Sequence, residues 1–459
     1  MGGCIWEWAD HSVYHPHGKI KYTYGGDHGE WRHDGCFCVD GLLYPDRRLH
    51  TGAKVMRNVY RPLRASYANK TLTLTNTNRF KSSGSLTVVW ELVKNGDGLL
   101  AADEFKPEIA PEQSADYPLD IKLPRESCDL HLNVYYYDGE NEIACEQIAI
   151  KEGFRPSFEK AAGSVKLTET DGAFEIAFAN GALTFGKASG MLESYQANGR
   201  ELINQNPAKA KGFLPNIFRA LLDNDVWFRD RWIAAGYDDY RCVCKGCGAK
   251  ATKTKATVTV DYSLKSKKTP LPLGAVTLTY EIAADGAVTV TASFLPGAKK
   301  RLAAHLPRFG LTLELPEDCT NVTYYGRGSD ENMPDLNAHA LLGVYETTVD
   351  EMYEPYIRPQ DSGNRTDVRT LKVTNDDGDG LLFAFADKPF CFNARPYTQE
   401  LLHNANHRED LRGEHTVAVE IDGFLRGAGT ASCGPDVLEQ YDVDGSKGLT
   451  FRFTMRPAK

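Results

Sequence analysis

The chain has no run of about 18 apolar residues, so no membrane-spanning helix is expected. Met1 is followed at once by Gly2-Gly3, without a basic start and an apolar core, so no secretory leader is expected either. Positive charge is not in excess. Lys and Arg number 53 against 62 Asp and Glu, and the net charge of −9 argues against a nucleic-acid partner. A disulfide framework is also lacking. The eleven cysteines are odd in number and scattered, which suits a reducing cytoplasm. Cys242-x-Cys244-x-x-Cys247 has the density of a zinc site but no spaced fourth ligand nearby, and reads as thiols on a strand and turn. No internal repeat or low-complexity tract is evident. The remaining composition, 25% charged and 42% hydrophobic, is that of a globular protein. Its 459 residues exceed one ordinary domain, and two or three are expected.

What is present is mostly strand pattern. Apolar and polar residues alternate in Lys70–Thr75, Ser85–Leu92 and His131–Tyr137, separated by turn-formers such as Lys94-Asn95-Gly96-Asp97-Gly98 and Asp138-Gly139-Glu140-Asn141. No helical period competes, and the spacing over residues 61–153 suits an immunoglobulin-like sandwich. Phe154-Arg155-Pro156-Ser157 and the residues to Gly163 read as a linker. From 164 to 459 strands dominate again, as in Phe174–Phe178, Thr257–Val260, Val276–Tyr280, Val288–Thr291 and Val417–Ile421. With no internal linker, one large sandwich is expected there.

The N-terminal segment differs in kind. In Cys4-Ile5-Trp6-Glu7-Trp8-Ala9 two tryptophans flank an acid. On a strand, Trp6 and Trp8 share one face and Glu7 takes the other. Such a pair serves either as plain core or as a platform, since indole faces stack on the C–H faces of sugar rings and carboxylates bind hydroxyls. Five of the twelve histidines, His11, His15, His17, His28 and His33, follow among Asp10, Asp27 and Asp34. They read as a metal cluster or as polar groups on the rim of a site. A short helix is expected near Thr51–Asn58.

Several motifs in fixed order carry a resemblance. They are Gly2-Gly3 with Trp6-Glu7-Trp8, Tyr24-Gly25-Gly26-Asp27-His28-Gly29, Phe37-Cys38-Val39-Asp40-Gly41-Leu42, Pro45-Asp46-Arg47 and His50. Further on come Leu222-Asp223-Asn224-Asp225, Trp232 with Ala235-Gly236-Tyr237, and Tyr325-Gly326-Arg327-Gly328. Met352–Gln360, Asn364–Arg369 and Gly429–Pro435 complete the series. Together they resemble the C-terminal portion of the large bacterial β-galactosidases of glycoside hydrolase family 2. The resemblance implies a mainly β chain. A short remnant of a (β/α)8 barrel would occupy residues 1–60, the immunoglobulin-like sandwich 61–153, and a large β-sandwich of the small-chain type 164–459. It also implies hydrolysis of terminal β-D-galactosides with retention, by two glutamates that lie upstream and are absent here. The chain alone would then be inactive.

By the same resemblance Trp6 shapes the galactose pocket. Phe37, through its backbone carbonyl, and Asp40, through its side chain, are implied ligands of a sodium ion beside the sugar, a partial site completed from upstream. The best-known family members have Asn where Asp40 stands, so Asp adds a charge here. Mg2+ would be held by upstream ligands. Cys433 takes a place where some members set a tryptophan under the second sugar, and a thiol offers far less stacking area. Met333 and Leu336 depart from a frequent Tyr and a frequent Arg. The implied partners are a β-galactoside and the missing N-terminal domains or a complementing subunit, in a cytoplasmic homo-oligomer. An alternative is a non-catalytic carbohydrate-binding or assembly module.

Retaining hydrolysis needs two carboxyl groups roughly 5–5.5 Å apart. Within this chain the candidates are Asp223 with Asp225, Glu331 with Asp335, and Asp350 with Glu351, all of which also read as turn and cap residues. Arg358, Arg365 and Arg369 read either as a carboxylate clamp or as partners of internal acids.

Overall fold

Thr71-Leu72-Thr73-Leu74-Thr75-Asn76 alternates buried and half-buried positions, as a strand with one face on a core must. In the computed structural model, which describes residues 3–158, 163–206, 212–298 and 300–459, this pattern recurs through most of the chain. The chain forms two compact units. The first takes in residues 1–155 with 325–332 and 336–345, and the second holds residues 156–324, 333–335 and 346–459.

The first unit contains an antiparallel sandwich. Leu63–Ala68, Thr71–Asn76 and Ser114–Pro118 form one sheet. Gly98–Phe105, Leu86–Lys94, Leu130–Asp138 and Asn141–Lys151 form the other. Leu72, Leu74, Val88, Leu132, Val134 and Tyr136 are fully enclosed between them. The turn expected at Lys94–Gly98 is a hairpin in which Asn95 and Gly96 both take positive φ. Ahead of the sandwich lie a hairpin of Val13–Tyr14 with Tyr22–Thr23 and the helix Thr51–Val59.

That helix is tied to the sandwich by the ion pair of Arg57 with Glu142 at 3.0 Å and by one buried residue, Asn58. Asn58 is completely buried; its Oδ1 accepts from Cys145 N at 2.9 Å and its Nδ2 donates to Ala338 O at 3.1 Å. Arg61, just beyond, pairs with Glu146 at 2.8 Å, and Glu146 also accepts from Ala65 N and the Tyr136 hydroxyl.

The strand expected at Cys4–Trp8 is not formed. The segment runs beside 38–43 through an isolated parallel bridge of Ala9 with Leu43. A strand is held by ladders to its neighbours, and among the described residues this segment has only that short loop to pair with.

In the second unit Lys166–Glu169, Ala173–Phe178, Gly181–Gly186, Leu192–Ala197 and Arg200–Glu201 form an antiparallel meander. A five-stranded sheet begins at the edge strand Leu214–Asn216 and continues through Arg308–Leu315, Val417–Leu425, Phe390–Arg395 and Arg365–Val368. The largest sheet begins at the edge strand Arg241–Ala251 and runs on through Lys255–Lys265, Gly274–Ala283 and Val288–Pro296. The linker reading at 154–163 falls partly on 159–162, outside the described residues.

The cysteine triplet lies on that edge strand. A bulge between Cys244 and Gly246 sets Cys242, Cys244 and Cys247 opposite Leu264, Tyr262 and Val260. Those partners are two residues apart, so all three thiols share one face. Burial pushes Cys242 up to about 12 and Cys247 up to about 11, keeping both as thiols.

The second unit is crossed by a charged cluster. Arg308 pairs with Asp361 at 2.7 Å and with Glu420, and Arg395 also reaches both acids. Asp422, 3.5 Å from Arg308, is the third acid, and every member is buried. Gly310 stands opposite Asp422 in the sheet, and a Cβ there would come within 1.9 Å of Asp422 Oδ1. The missing side chain makes room for the carboxyl.

Candidate functional site

Asp10 anchors the N-terminal segment. Its buried carboxylate accepts from Gly41 N at 2.8 Å and meets His50 Nε2 at 3.1 Å. His50 precedes the first residue of the helix Thr51–Val59, and its ring packs 3.8 Å from that of Tyr44. A Cβ on Gly41 would lie 2.4 Å from the backbone of Ala9 and Asp10, so the close approach requires glycine. Leu42 N donates to Glu7 O at 3.2 Å and Asp10 N to Leu43 O at 2.9 Å. Residues 7–10 are thereby fixed beside 41–43.

Side chains on this fixed segment point alternately. Trp6 is 86% and Trp8 55% exposed, whereas Glu7 is 9% exposed. Within this chain neither indole is packed into a core. Burial, and secondarily the Asp40 carboxyl beside it, hold Glu7 above the usual carboxylate range. His11 Nδ1 stands 3.1 Å from the Glu7 carboxylate.

Asp40 is exposed, and Phe37 is exposed on the preceding turn, where its N–H donates to Asp34 O at 3.2 Å. Among the described residues the Phe37 carbonyl accepts no hydrogen bond. A free carbonyl oxygen and an exposed carboxylate are the donor types a hard cation takes.

Of the five N-terminal histidines, His11 and His28 line a cavity. His15 Nε2 and His28 Nε2 both contact the Thr23 hydroxyl, at 3.2 and 3.0 Å. Asp10, His11, Thr23, His28, Glu30 and Arg47 help to line this cavity of about 550 Å³. Among the described residues no group of three or more His, Cys, Asp or Glu is placed to hold a metal ion.

In the second unit Cys433 is exposed on a loop that is held firmly elsewhere. Asp335 accepts from Ala428 N and Gly429 N, both at 2.8 Å. Asn224 donates to Gly429 O at 2.8 Å and accepts from Ser432 N at 3.3 Å. One carboxylate of each pair weighed as catalytic is engaged in structure. Asp335 grips this loop, Asp225 is buried against Arg219 at 2.8 Å, and Glu351 caps the turn at Thr348 at 3.1 Å. Arg365 donates to Tyr324 Oη and to the Gly363 carbonyl, and Arg369 to the Asp367 carbonyl. These two buried arginines anchor backbone, and the third, Arg358, stands 3.9 Å from Asp223.

Sequence reasoning read Asp10 as part of a polar rim or metal cluster and Asp335 as half of a carboxyl pair, and missed that both anchor backbone. The polar pattern does not mark these contacts, because Asp10 meets His50 from 40 residues away and Asp335 meets Gly429 from 94.

Residues 179–455 match the family model for the β-galactosidase small chain, and residues 1–65 match that for the TIM barrel domain of glycosyl hydrolases family 2. A β-galactosidase of Actinobacillus pleuropneumoniae is 31% identical over 96% of this chain and 43% of its own length. That of Staphylococcus xylosus is 28% identical over 99% of this chain and 46% of its own length, and that of Vibrio cholerae 29% over 94% and 42%. The chain thus spans less than half the length of these curated relatives. A solved galactose 1-epimerase from Lactobacillus acidophilus aligns at 9% identity over 65% of this chain and 100% of its own, with a TM-score of 0.31, too remote to bear on function. Matched over more than half its length by that model, the chain belongs to the β-galactosidase small-chain family.

Proposed function

We propose that this chain builds part of the sugar-facing wall, and the scaffold behind it, of an enzyme that hydrolyses terminal β-D-galactose residues with retention. In this reading the nucleophile and the acid/base are two carboxyl groups contributed by residues outside this chain. The supporting observation is the exposed pair Trp6 and Trp8, fixed in place by Asp10, on a segment where barrel-end loops gather functional groups. Trp6 gives the galactose a stacking face. Phe37 O and Asp40 hold a sodium ion beside the sugar, with the remaining ligand, and those of Mg2+, contributed from outside.

Mixing the purified chain with a polypeptide that carries the preceding domains of the family, over a chromogenic β-galactoside, tests the reading. No turnover is expected from either part alone, and turnover is expected on mixing. Robust turnover by this chain alone would overturn it.

A further inference from the structure

Two adjoining cavities lie at the open edges of the large sandwich, of about 560 and 750 Å³. They share Tyr240, Arg241, Gln399 and Glu400. Consecutive residues, not alternate ones, line the larger: Leu214–Asn216 from one edge strand and Arg241–Cys244 from the other. It therefore faces the strand edges and not a sheet face. The sizes are those of small-molecule sites.

The chemistry of the lining narrows the ligand. Asp238 is neutralised by Lys268 at 2.7 Å, and Asp239 accepts from the Ser266 hydroxyl. Arg241 and Glu400, both exposed, have no salt-bridge partner among the described residues. Lys267, also exposed on the lining, has no salt-bridge partner among the described residues either. With Asp239, which is hydrogen-bonded but not ion-paired, the lining holds two cations and two anions and so favours a ligand without net charge. Gln399 spends its Oε1 on Asn216 Nδ2 at 3.1 Å, leaving its N–H2 donors. Burial holds His403 below its usual value, so at neutral pH it is an uncharged imidazole that both donates and accepts. Hydroxyl groups, which also do both, match such a set. Leu214, Met191 and the ring of Tyr240 add an apolar flank. That ring is locked, because its hydroxyl donates to Pro215 O at 2.9 Å and accepts from Ile217 N at 3.1 Å.

We infer that this groove binds a neutral oligosaccharide, making it a second, non-hydrolytic sugar site on the large sandwich. Arg241 and Glu400 bind hydroxyls from opposite sides, and the Tyr240 flank receives a C–H face. The site is independent of Trp6 and of the bond-breaking carboxylates, so its fate does not depend on the hydrolytic reading.

The test titrates the isotope-labelled chain with β-1,4-galactotriose and follows backbone amide shifts alongside calorimetry. Saturable shifts are expected at 240–244 and 399–404. Arg241→Ala and Glu400→Ala should each weaken the binding reported by these amides at least about tenfold. Both substituted residues are exposed, and unchanged melting temperatures verify folding. Absence of saturable shifts there up to the solubility of the sugar overturns the inference. So does binding at these amides that survives both substitutions. Preferential capture of an extended peptide in place of the sugar also overturns it.

Discussion

Single residues set the electrostatics of both units. Asp40 adds a negative charge beside Glu7, which burial already pushes toward its neutral form. In the reconstituted enzyme, Asp40→Ala should flatten the rise of activity with sodium and leave the melting temperature unchanged; an unaltered sodium response removes the assignment. Asp422 is the clearer titration. Burial raises it from 3.8 to about 7 despite the nearby Arg308. A carboxyl whose folded value lies above its unfolded one binds its proton more tightly when folded. Its contribution to stability is full below 3.8 and is lost as pH rises toward 7, by on the order of 1.4 kcal/mol per pH unit. Asp422→Asn removes that loss. In denaturant titrations the variant should gain on the parent between pH 4 and 7 and keep a constant lead at pH 8. A lead that does not change with pH would place the titration elsewhere. Nothing in Val-Glu-Ile-Asp at 419–422 predicts this, because the sequence shows an alternating strand. The absence of a side chain at Gly310, over a hundred positions away, is what admits the carboxyl.

Elements were more legible than sites. Lys70–Thr75 and Ser85–Leu92 betray strands because one face must meet a core, and Thr51–Asn58 betrays a helix that ends one residue later, at Val59. Cys4–Trp8 failed for a reason outside itself: its residues are good strand formers, but a strand needs a neighbour. Asn58 shows how a helix this short is kept in place. Asn58→Ala leaves the Cys145 N–H buried without its partner, at a cost of roughly 1–3 kcal/mol. Thermal melting of the first unit should shift down accordingly, with amide exchange at Cys145 among the fastest to rise. A neutral result would mean that the helix is held by its other contacts alone.

At the scale of the whole chain, large apolar groups stay in the open in the first sixty residues. Ile5, Trp6, Trp8, Val13, Tyr14, Trp31, Phe37, Leu49, Val59 and Tyr60 are all exposed. Patches of this kind bind hydrophobic dyes and promote self-association. Addition of the complementing polypeptide should therefore lower both dye fluorescence and light scattering of the chain. Unchanged signals would mean that this surface is not where the complement sits. The candidate site was legible to the same degree. Trp6 and Asp40 could be named from their motif, yet what fixes them, Asp10 to Gly41 and His50, is set by folding alone.

The bulge beside Cys244 carries one more consequence. Up to that point even-numbered residues of the edge strand look inward, and beyond it odd-numbered ones do, as Ala249 opposite Val258 shows. Excising Lys245 would restore a plain ladder and swing either Cys242 or Cys247 to the outer side, where maleimide would find it quickly. What looks in the written sequence like a ligand spacing is a change of step: two residues, then three, so that three sulfurs keep facing the same way.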